Sequence, residues 1–178
     1  LRTDDFFYFY RHMVSVEYTD IDVKEKRKQY MHFFRKGEIE RGIFVQALPE
    51  LAQKEKQQQK CSRLLKLMCR WTTNVQKGMR PVDYLTRRKW YSVAVYGAGD
   101  VGKCLLDELA DTDVKVRYIV DRRKPELGLP VYAPEDDLPS VDCMIVTAIM
   151  EYGEISRNLK DKLRCHVISI EDIIYQDV

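Results

Sequence analysis

Three glycines at a fixed spacing are the clearest sign of a ligand-binding site in this sequence. The run Tyr96-Gly97-Ala98-Gly99-Asp100-Val101-Gly102-Lys103 matches G-x-G-x-x-G. The first glycine of such a loop allows a tight turn, the second lets the backbone approach a pyrophosphate, and the third lets a helix pack closely on a strand. Free N–H groups at the start of the following helix favour an anion. The pattern predicts a phosphate-binding loop, and a glycine turn without a ligand stays open.

The loop is predicted to contact the ligand through six consecutive residues, and further contacts are expected at the ends of two later strands. The six are Gly97, Ala98, Gly99, Asp100, Val101 and Gly102. Asp121 ends the second predicted strand, 19 residues after Gly102, where a carboxylate can accept hydrogen bonds from ribose hydroxyls. Arg122 could hold a further phosphate. Thr147 and Ala148 end the next core strand, at the border of the ligand crevice. Both NAD(P) and a nucleotide sugar remain open as the cofactor.

Asp100 departs from the expected pattern, because it places a carboxylate beside the site meant for phosphate. It is harmless if it caps the helix by accepting a backbone hydrogen bond. If it points at the ligand, it repels a diphosphate.

The sequence has no recognisable catalytic or metal-binding set beside this loop. No tyrosine has a lysine four positions on, no Ser-His-Asp or Cys-His spacing occurs, and the five cysteines form no C-x-x-C pair. We therefore predict no catalytic residue and no metal ligand, and whether the protein is an enzyme stays open. If the protein is a small NAD(P)-dependent oxidoreductase or epimerase, Tyr152 is the first candidate for a catalytic residue.

Alternating strands and helices must position the loop. Apolar, β-rich runs separated by helical patterns predict an α/β fold, a Rossmann-like parallel sheet with flanking helices, over residues 79–178. The predicted strands are Ser92–Tyr96, Val114–Val120, Val141–Thr147 and His166–Ile170, with a short Leu129–Tyr132 segment. The predicted helices are Asp100–Ala110, Tyr152–Lys162 and Glu171–Tyr175.

Residues 1–78 are predicted to form a mainly helical N-terminal segment. Residues 4–18 fit a strand or a buried helix, a helix is expected from Asp22 to Lys36, and Pro49 is expected to separate two further helices. Residues 61–75 are amphipathic and need an apolar partner, which could be the Rossmann unit, a second chain or an upstream domain. The predicted apolar stripe consists of Cys61, Leu64, Leu65, Met68, Trp71 and Val75.

Charge is divided between the two halves of the chain. Residues 1–90 hold 20 Lys and Arg against 11 Asp and Glu, and residues 91–178 hold 10 against 17. The basic half fits solvated helix faces, or a surface for anionic lipid or a pyrophosphate; no nucleic-acid-binding motif accompanies it. Nothing approaches the run of about 20 apolar residues that a membrane helix needs. An odd number of cysteines without a framework spacing favours a cytoplasmic protein, and peripheral contact with the inner face of the membrane stays open.

Residues 64–178 resemble the Rossmann-like domains of bacterial surface-polysaccharide biosynthesis proteins. The resemblance rests on the run from Val93 to Lys103, on Tyr118-Ile119-Val120-Asp121-Arg122, and on Leu129-Pro130-Val131-Tyr132-Ala133-Pro134-Glu135-Asp136. Similar modules precede nucleotide-sugar dehydratases and sugar-phosphate transferases, or are attached to family 2 glycosyltransferases. The resemblance implies an accessory domain that binds a nucleotide, dinucleotide or nucleotide sugar, with Gly97, Gly99, Gly102 and Asp121 as ligand contacts.

These observations favour a non-catalytic binding module that takes a nucleotide-type small molecule as its ligand. The module would belong to a larger glycosyltransferase-type protein in bacterial polysaccharide biosynthesis. Because the chain begins with Leu1 rather than Met, an upstream catalytic domain stays open. The second alternative, after a small oxidoreductase, is an interaction module with a degenerate pocket. That module would dock on a glycosyltransferase domain, or form a homodimer, through the helix at residues 61–75.

Overall fold

The computed structural model describes residues 41–123, 125–160 and 162–176, with side chains from Ala52 onward. The predictions for residues 4–18 and for a helix from Asp22 to Lys36 lie outside the described residues. By compactness the chain divides between Ser62 and Arg63, whereas the sequence predicted a boundary between residues 78 and 79. The two differ because the second half of a long helix packs into the core of the C-terminal unit, Arg63–Val178.

The C-terminal unit is an α/β fold with one parallel sheet, as predicted. The five strands lie in the order β3-β2-β1-β4-β5, and every pairing is parallel. Strand order reverses beside β1, because the chain first builds β2 and β3 on one side and then returns to build β4 and β5 on the other. Ligands of such sheets bind outside the carboxyl ends of the strands at this switch point. The elements are α1 (Arg41–Gln76), α2 (Pro81–Arg87), β1 (Ser92–Tyr96), α3 (Asp100–Leu109), β2 (Lys115–Val120), β3 (Val131–Tyr132), β4 (Cys143–Val146), α4 (Tyr152–Lys160), β5 (His166–Ser169) and α5 (Ile170–Ile174).

The core strands are buried on both faces, which is why they read as continuous apolar runs. Val93 and Val95 of β1 face one cluster, formed with side chains of α1, α2, α3 and α5. We call this side face A. Ala94 faces the other cluster, which includes Tyr118 and Leu159 of α4, and we call this side face B. The loop after β1 therefore leaves the sheet at its buried centre.

Helix α1 buries only part of the predicted stripe. Leu67 is fully buried and Trp71 is 5% exposed, and Leu64 and Met68 pack beside them on face A. Leu65, in contrast, is 66% exposed. The prediction missed Leu67 and the polar residue Asn74: both are buried, and the Nδ2 of Asn74 donates to the carbonyl oxygen of Ile174 at 2.7 Å. The predicted stripe members Cys61 and Val75 are exposed as well.

Pro49 does not end a helix, contrary to the sequence prediction. Helix α1 runs without interruption from Arg41 to Gln76. A proline inside a helix lacks the N–H that would bond the carbonyl four residues earlier. The helix therefore continues past Pro49 without that hydrogen bond.

Candidate functional site

The glycine loop begins at a position whose backbone conformation favours glycine. Gly97 has a φ of 101°, in the region that L side chains rarely adopt. A Cβ built there would lie 2.7 Å from Oγ1 of Thr147. The Gly97 N–H donates to the carbonyl oxygen of Val120 at 2.9 Å, which anchors the turn to the end of β2. The tight turn expected of the first glycine is present.

Gly102 is required by packing. A Cβ at Gly102 would overlap the carbonyl oxygen of Gly97 and would lie 3.4 Å from Oγ1 of Thr147. Helix α3 can therefore rest on the turn only if this position has no side chain. The close approach expected of the third glycine is also present.

Gly99 differs from the other two glycines, because nothing in the fold requires it. Its φ of −70° and ψ of −172° suit any residue, and no atom lies within 4 Å of the position a Cβ would take. It is the N-cap of α3 and is exposed. The space in front of its backbone is open to solvent.

The first turn of α3 presents backbone donors at this opening. The first N–H groups of an α-helix have no acceptor within the helix, and here the first bond back to the cap runs from Lys103 N to Gly99 O at 2.9 Å. The N–H groups of Asp100, Val101 and Gly102 come before this first bond, so they have no acceptor within the helix. No side chain caps the helix. These donors and the helix dipole together favour an anion at the loop.

Asp100 does not cap α3 by accepting a backbone hydrogen bond. Its side chain is exposed in the first turn of the helix, and within the described ranges no hydrogen bond joins its carboxylate to another residue. The helix dipole favours a negative charge at this end. Asp100 therefore competes with a bound anion for the same positive end, or must turn aside into solvent.

Asp121 braces the glycine loop from the neighbouring strand. Its Oδ2 accepts from the Ala98 N–H at 2.8 Å, and its Oδ1 accepts from the Arg123 N–H at 2.8 Å. The carboxylate is thus fixed in orientation beside the loop. Each carboxylate oxygen has two lone pairs, so both can accept one further hydrogen bond from a ligand hydroxyl. Arg122, the next residue, is exposed.

Thr147 is tied into the loop. It is buried, and its Oγ1 lies 2.9 Å from the carbonyl oxygen of Gly97 and 3.1 Å from that of Tyr96. The single hydroxyl proton is shared between these two acceptors. Ala148 is half-buried, with its backbone N 3.6 Å from the position of a Cβ on Gly97. The role of both residues as ligand contacts stays a prediction.

Tyr96 is a neighbour of the loop that the sequence reasoning did not single out. It is the last residue of β1, and its half-buried ring packs on face B. Burial raises the pKa of its hydroxyl; the charge of Arg122 lowers it, and the charges of Glu135, Asp121 and Glu154 raise it. The signal in the sequence is a tyrosine at the end of an apolar strand, next to the first glycine.

The residues considered for catalysis have other roles. The hydroxyl of Tyr152 donates to the carbonyl oxygen of Val167 at 3.2 Å. His166 begins β5, at the amino edge of the sheet and thus opposite the loop. Burial raises the pKa of Cys143 and of Cys165, which favours inert thiols. No group of three or more possible ligands for a metal ion occurs among the described residues.

Comparisons with protein-family models, with curated proteins and with solved structures each find no match. In the described part of the chain, no helix has the length and apolarity needed to cross a bilayer. The site must therefore be interpreted from its own geometry.

Proposed function

We propose that the C-terminal unit binds a nucleotide-type small molecule at the loop Gly97–Gly102, without turning it over. The ligand is NAD(P) or a nucleotide sugar. The wider role is in bacterial surface-polysaccharide biosynthesis, as a module of a larger glycosyltransferase-type protein. The resemblance of the sequence to modules of such proteins supports this wider role.

Gly99 is the observation that carries the proposal. The fold explains Gly97 by its positive φ and Gly102 by its contact with the Gly97 carbonyl, but it leaves Gly99 unexplained. An N-cap glycine also forgoes a capping side chain, at a cost of roughly a few tenths of a kcal/mol. A ligand that approaches the backbone at this point accounts for the missing side chain.

The surroundings of Gly99 support a phosphate and a ribose. Helix α3 directs its first N–H groups at the opening, and Asp121 stands beside Ala98 with fixed oxygens. The loop also follows β1, where strand order reverses. The exposed carboxylate of Asp100, in the first turn of the same helix, opposes a bound phosphate, so the backbone N–H groups of α3 must outweigh its repulsion.

The hydrogen bonds of Thr147 and Tyr152 support binding rather than chemistry. Thr147 shares its proton with the Tyr96 and Gly97 carbonyls, and Tyr152 donates to Val167. A general acid must be free to move its proton to the substrate. Both groups would have to break an internal hydrogen bond first.

Isothermal titration of the full chain with NAD(H), NADP(H), UDP-sugars and coenzyme A tests the proposal. We expect saturable heat with at least one of them. In Gly99→Ala and Gly99→Val we expect progressively weaker binding, with the valine variant at least about tenfold weaker, because a side chain fills the space of the approaching phosphate. The thermal midpoint should stay near that of the wild type, since the space is empty.

Two results would contradict the proposal. One is the absence of heat with all four ligand classes. The other is wild-type affinity in Gly99→Val, which would move the ligand away from the loop. A change in absorbance at 340 nm when the protein is mixed with NAD(H) and sugar nucleotides would contradict the non-catalytic part of the proposal. It would indicate an oxidoreductase instead.

A further inference from the structure

At the amino edge of the sheet, opposite the glycine loop, a guanidinium lies over one aromatic ring and near a second. The Cζ atom of Arg88 lies 3.6 Å from the ring centroid of Tyr84 and 5.7 Å from that of Trp90. Its Nη1 donates to the Tyr84 carbonyl oxygen at 3.4 Å. Stacking on an aromatic face leaves the edge of a guanidinium, with its N–H donors, free to bind a planar anion.

The aromatic surface continues past Arg88. Trp90 packs against His166 with a centroid distance of 4.8 Å and an interplanar angle of 34°. His166 is exposed, and Tyr91 is 47% exposed. We call Arg88, Lys89, Trp90, Tyr91 and His166 the amino-edge patch.

The backbone of the patch is fixed by the end of α2. The N–H of Lys89 donates to Thr86 O at 2.9 Å, and that of Trp90 donates to Leu85 O at 3.0 Å, which is the Schellman pattern of a helix end. Lys89 has a φ of 60°, at the position where glycine is usual. Because this turn is closed by two hydrogen bonds, the side chains of Arg88 and Trp90 leave a rigid base.

Arg88 has no carboxylate partner among the described residues, unlike two other arginines of the unit. Arg63 pairs with Glu171, and Arg80 pairs with Glu108 at 2.6 Å. Asp142, at the same edge of the sheet, uses its Oδ2 to accept from the N–H groups of Tyr91 and Ser92. Among the described residues, the contacts of the Arg88 guanidinium are therefore two aromatic rings and a backbone carbonyl.

We propose that the amino-edge patch binds an acidic peptide segment of a partner protein. A carboxylate of the segment pairs with the free edge of Arg88, and an apolar neighbour packs on Trp90 and Tyr91. Tryptophan, tyrosine and arginine are the residues that dominate binding energy at protein interfaces. The proposal is independent of the ligand at the glycine loop, which lies at the other edge.

The charge of the unit favours a peptide over a polyanion. The unit Arg63–Val178 holds 18 Lys and Arg against 18 Asp and Glu, so it has no net positive charge that would attract a nucleic acid or an anionic membrane. A short segment places one or two carboxylates at Arg88, and its other charges are screened within a Debye length of about 8 Å at physiological salt. A peptide thus gains the local pairing at Arg88, which needs no wider basic surface.

Titration of the full chain with an acetylated, amidated hexapeptide of glutamates and phenylalanines tests the proposal. Tryptophan fluorescence reports on the patch, because Trp90 is half-buried there while Trp71 is 5% exposed in the core. We expect a saturable change in fluorescence, and an affinity that falls as the salt concentration rises. Arg88→Gln should bind at least about tenfold more weakly, and Arg88→Lys should lie between, since lysine keeps the charge without the planar fork.

Arg157→Gln is the matched control, because Arg157 is an exposed arginine of α4 whose Nε bonds Gly153 O; it should bind like the wild type. A peptide with lysine in place of glutamate should not bind. The proposal is overturned if fluorescence does not saturate at millimolar peptide, or if Arg88→Lys and Arg88→Gln both keep wild-type affinity. Tighter binding of a thymidine oligonucleotide or of phosphatidylserine vesicles overturns it as well.

Discussion

The hydroxyl of Thr147, after β4, lies 2.9 Å from the carbonyl oxygen of Gly97, after β1. The Thr147 N–H also donates to Tyr96 O at 2.9 Å, so backbone and side chain of one residue hold the end of the neighbouring strand. The same Oγ1 occupies the space where a Cβ on Gly97 would fall. The turn that begins the glycine loop is thus held in place by Thr147, the residue that follows β4.

Replacing the Thr147 hydroxyl should destabilise the unit at nearly constant volume. In Thr147→Val the carbonyl of the half-buried Gly97 loses its hydroxyl donor, at a cost of about 1–3 kcal/mol. Urea unfolding measures the free energy. Thr147→Ser keeps the hydroxyl and should retain most of the stability. Equal losses in both variants would show that the methyl group, rather than the hydrogen bond, matters at this position.

The three glycines of the loop should separate by stability. Gly97→Ala forces a Cβ toward Thr147 in a positive-φ backbone, and Gly102→Ala forces one into the Gly97 carbonyl. We expect each to lower the free energy of unfolding by at least about 2 kcal/mol. Gly99→Ala should change it by less than about 0.5 kcal/mol. Melting curves of the three variants compare them directly, and a large loss in Gly99→Ala would contradict the open space seen there.

Helix α1 offers a test of which side it buries. Trp71→Ala removes a core side chain of face A and should cost about 3–5 kcal/mol. Leu65→Ala removes one that is 66% exposed and should stay within about 0.5 kcal/mol of the wild type. Chemical denaturation of the two variants gives the comparison. A costly Leu65→Ala would instead indicate a partner on the outer side of α1.

Tyr118 should make stability fall in alkali. Burial raises its pKa from 10.0 to about 12, with smaller contributions from the charges of Cys165 and Tyr132. Because the folded state holds the neutral phenol more tightly than the unfolded state, this stabilisation is complete below about pH 10 and is lost progressively as the pH rises to about 12. Unfolding curves measured across this range should show the decline.

Tyr118→Phe should flatten the decline. At neutral pH the variant also loses the hydrogen bond to the Pro139 carbonyl, which is 2.7 Å long and contributes about 1 kcal/mol. Tyr175→Phe, on a side chain that is 42% exposed, is the control and should keep the wild-type slope. An unchanged slope in Tyr118→Phe would assign the alkaline loss to other groups.

Much of the fold was predictable because local pattern and tertiary role coincide in it. Strand β1 has the predicted bounds, Ser92–Tyr96, and α3 and α4 begin at the predicted Asp100 and Tyr152. Each core strand is an apolar run between turn signals, which a two-sided buried sheet demands. The glycine spacing gave the turn and the helix packing, since both follow from the absence of a side chain.

The remaining features depend on long-range contacts that no local pattern contains. Asp121 was expected at a ribose, and nothing near it in sequence shows that it also holds the Ala98 N–H. The buried stripe of α1 was predicted only in part, because Asn74, a polar residue, is buried through a bond to Ile174, 100 residues later. The contact of Thr147 with Gly97 spans 50 residues in the same way.

The pairing of β1 with β4 makes the glycine loop dependent on a distant part of the chain. A fragment that ends at Val120 would contain the whole glycine motif but neither β4 nor Thr147. Bringing such segments together requires closing a long loop first, which slows folding. A ligand bound at the loop would then report on folding itself: it would raise the melting temperature in proportion to the logarithm of its concentration, and a nascent chain would acquire it only after β4 has docked.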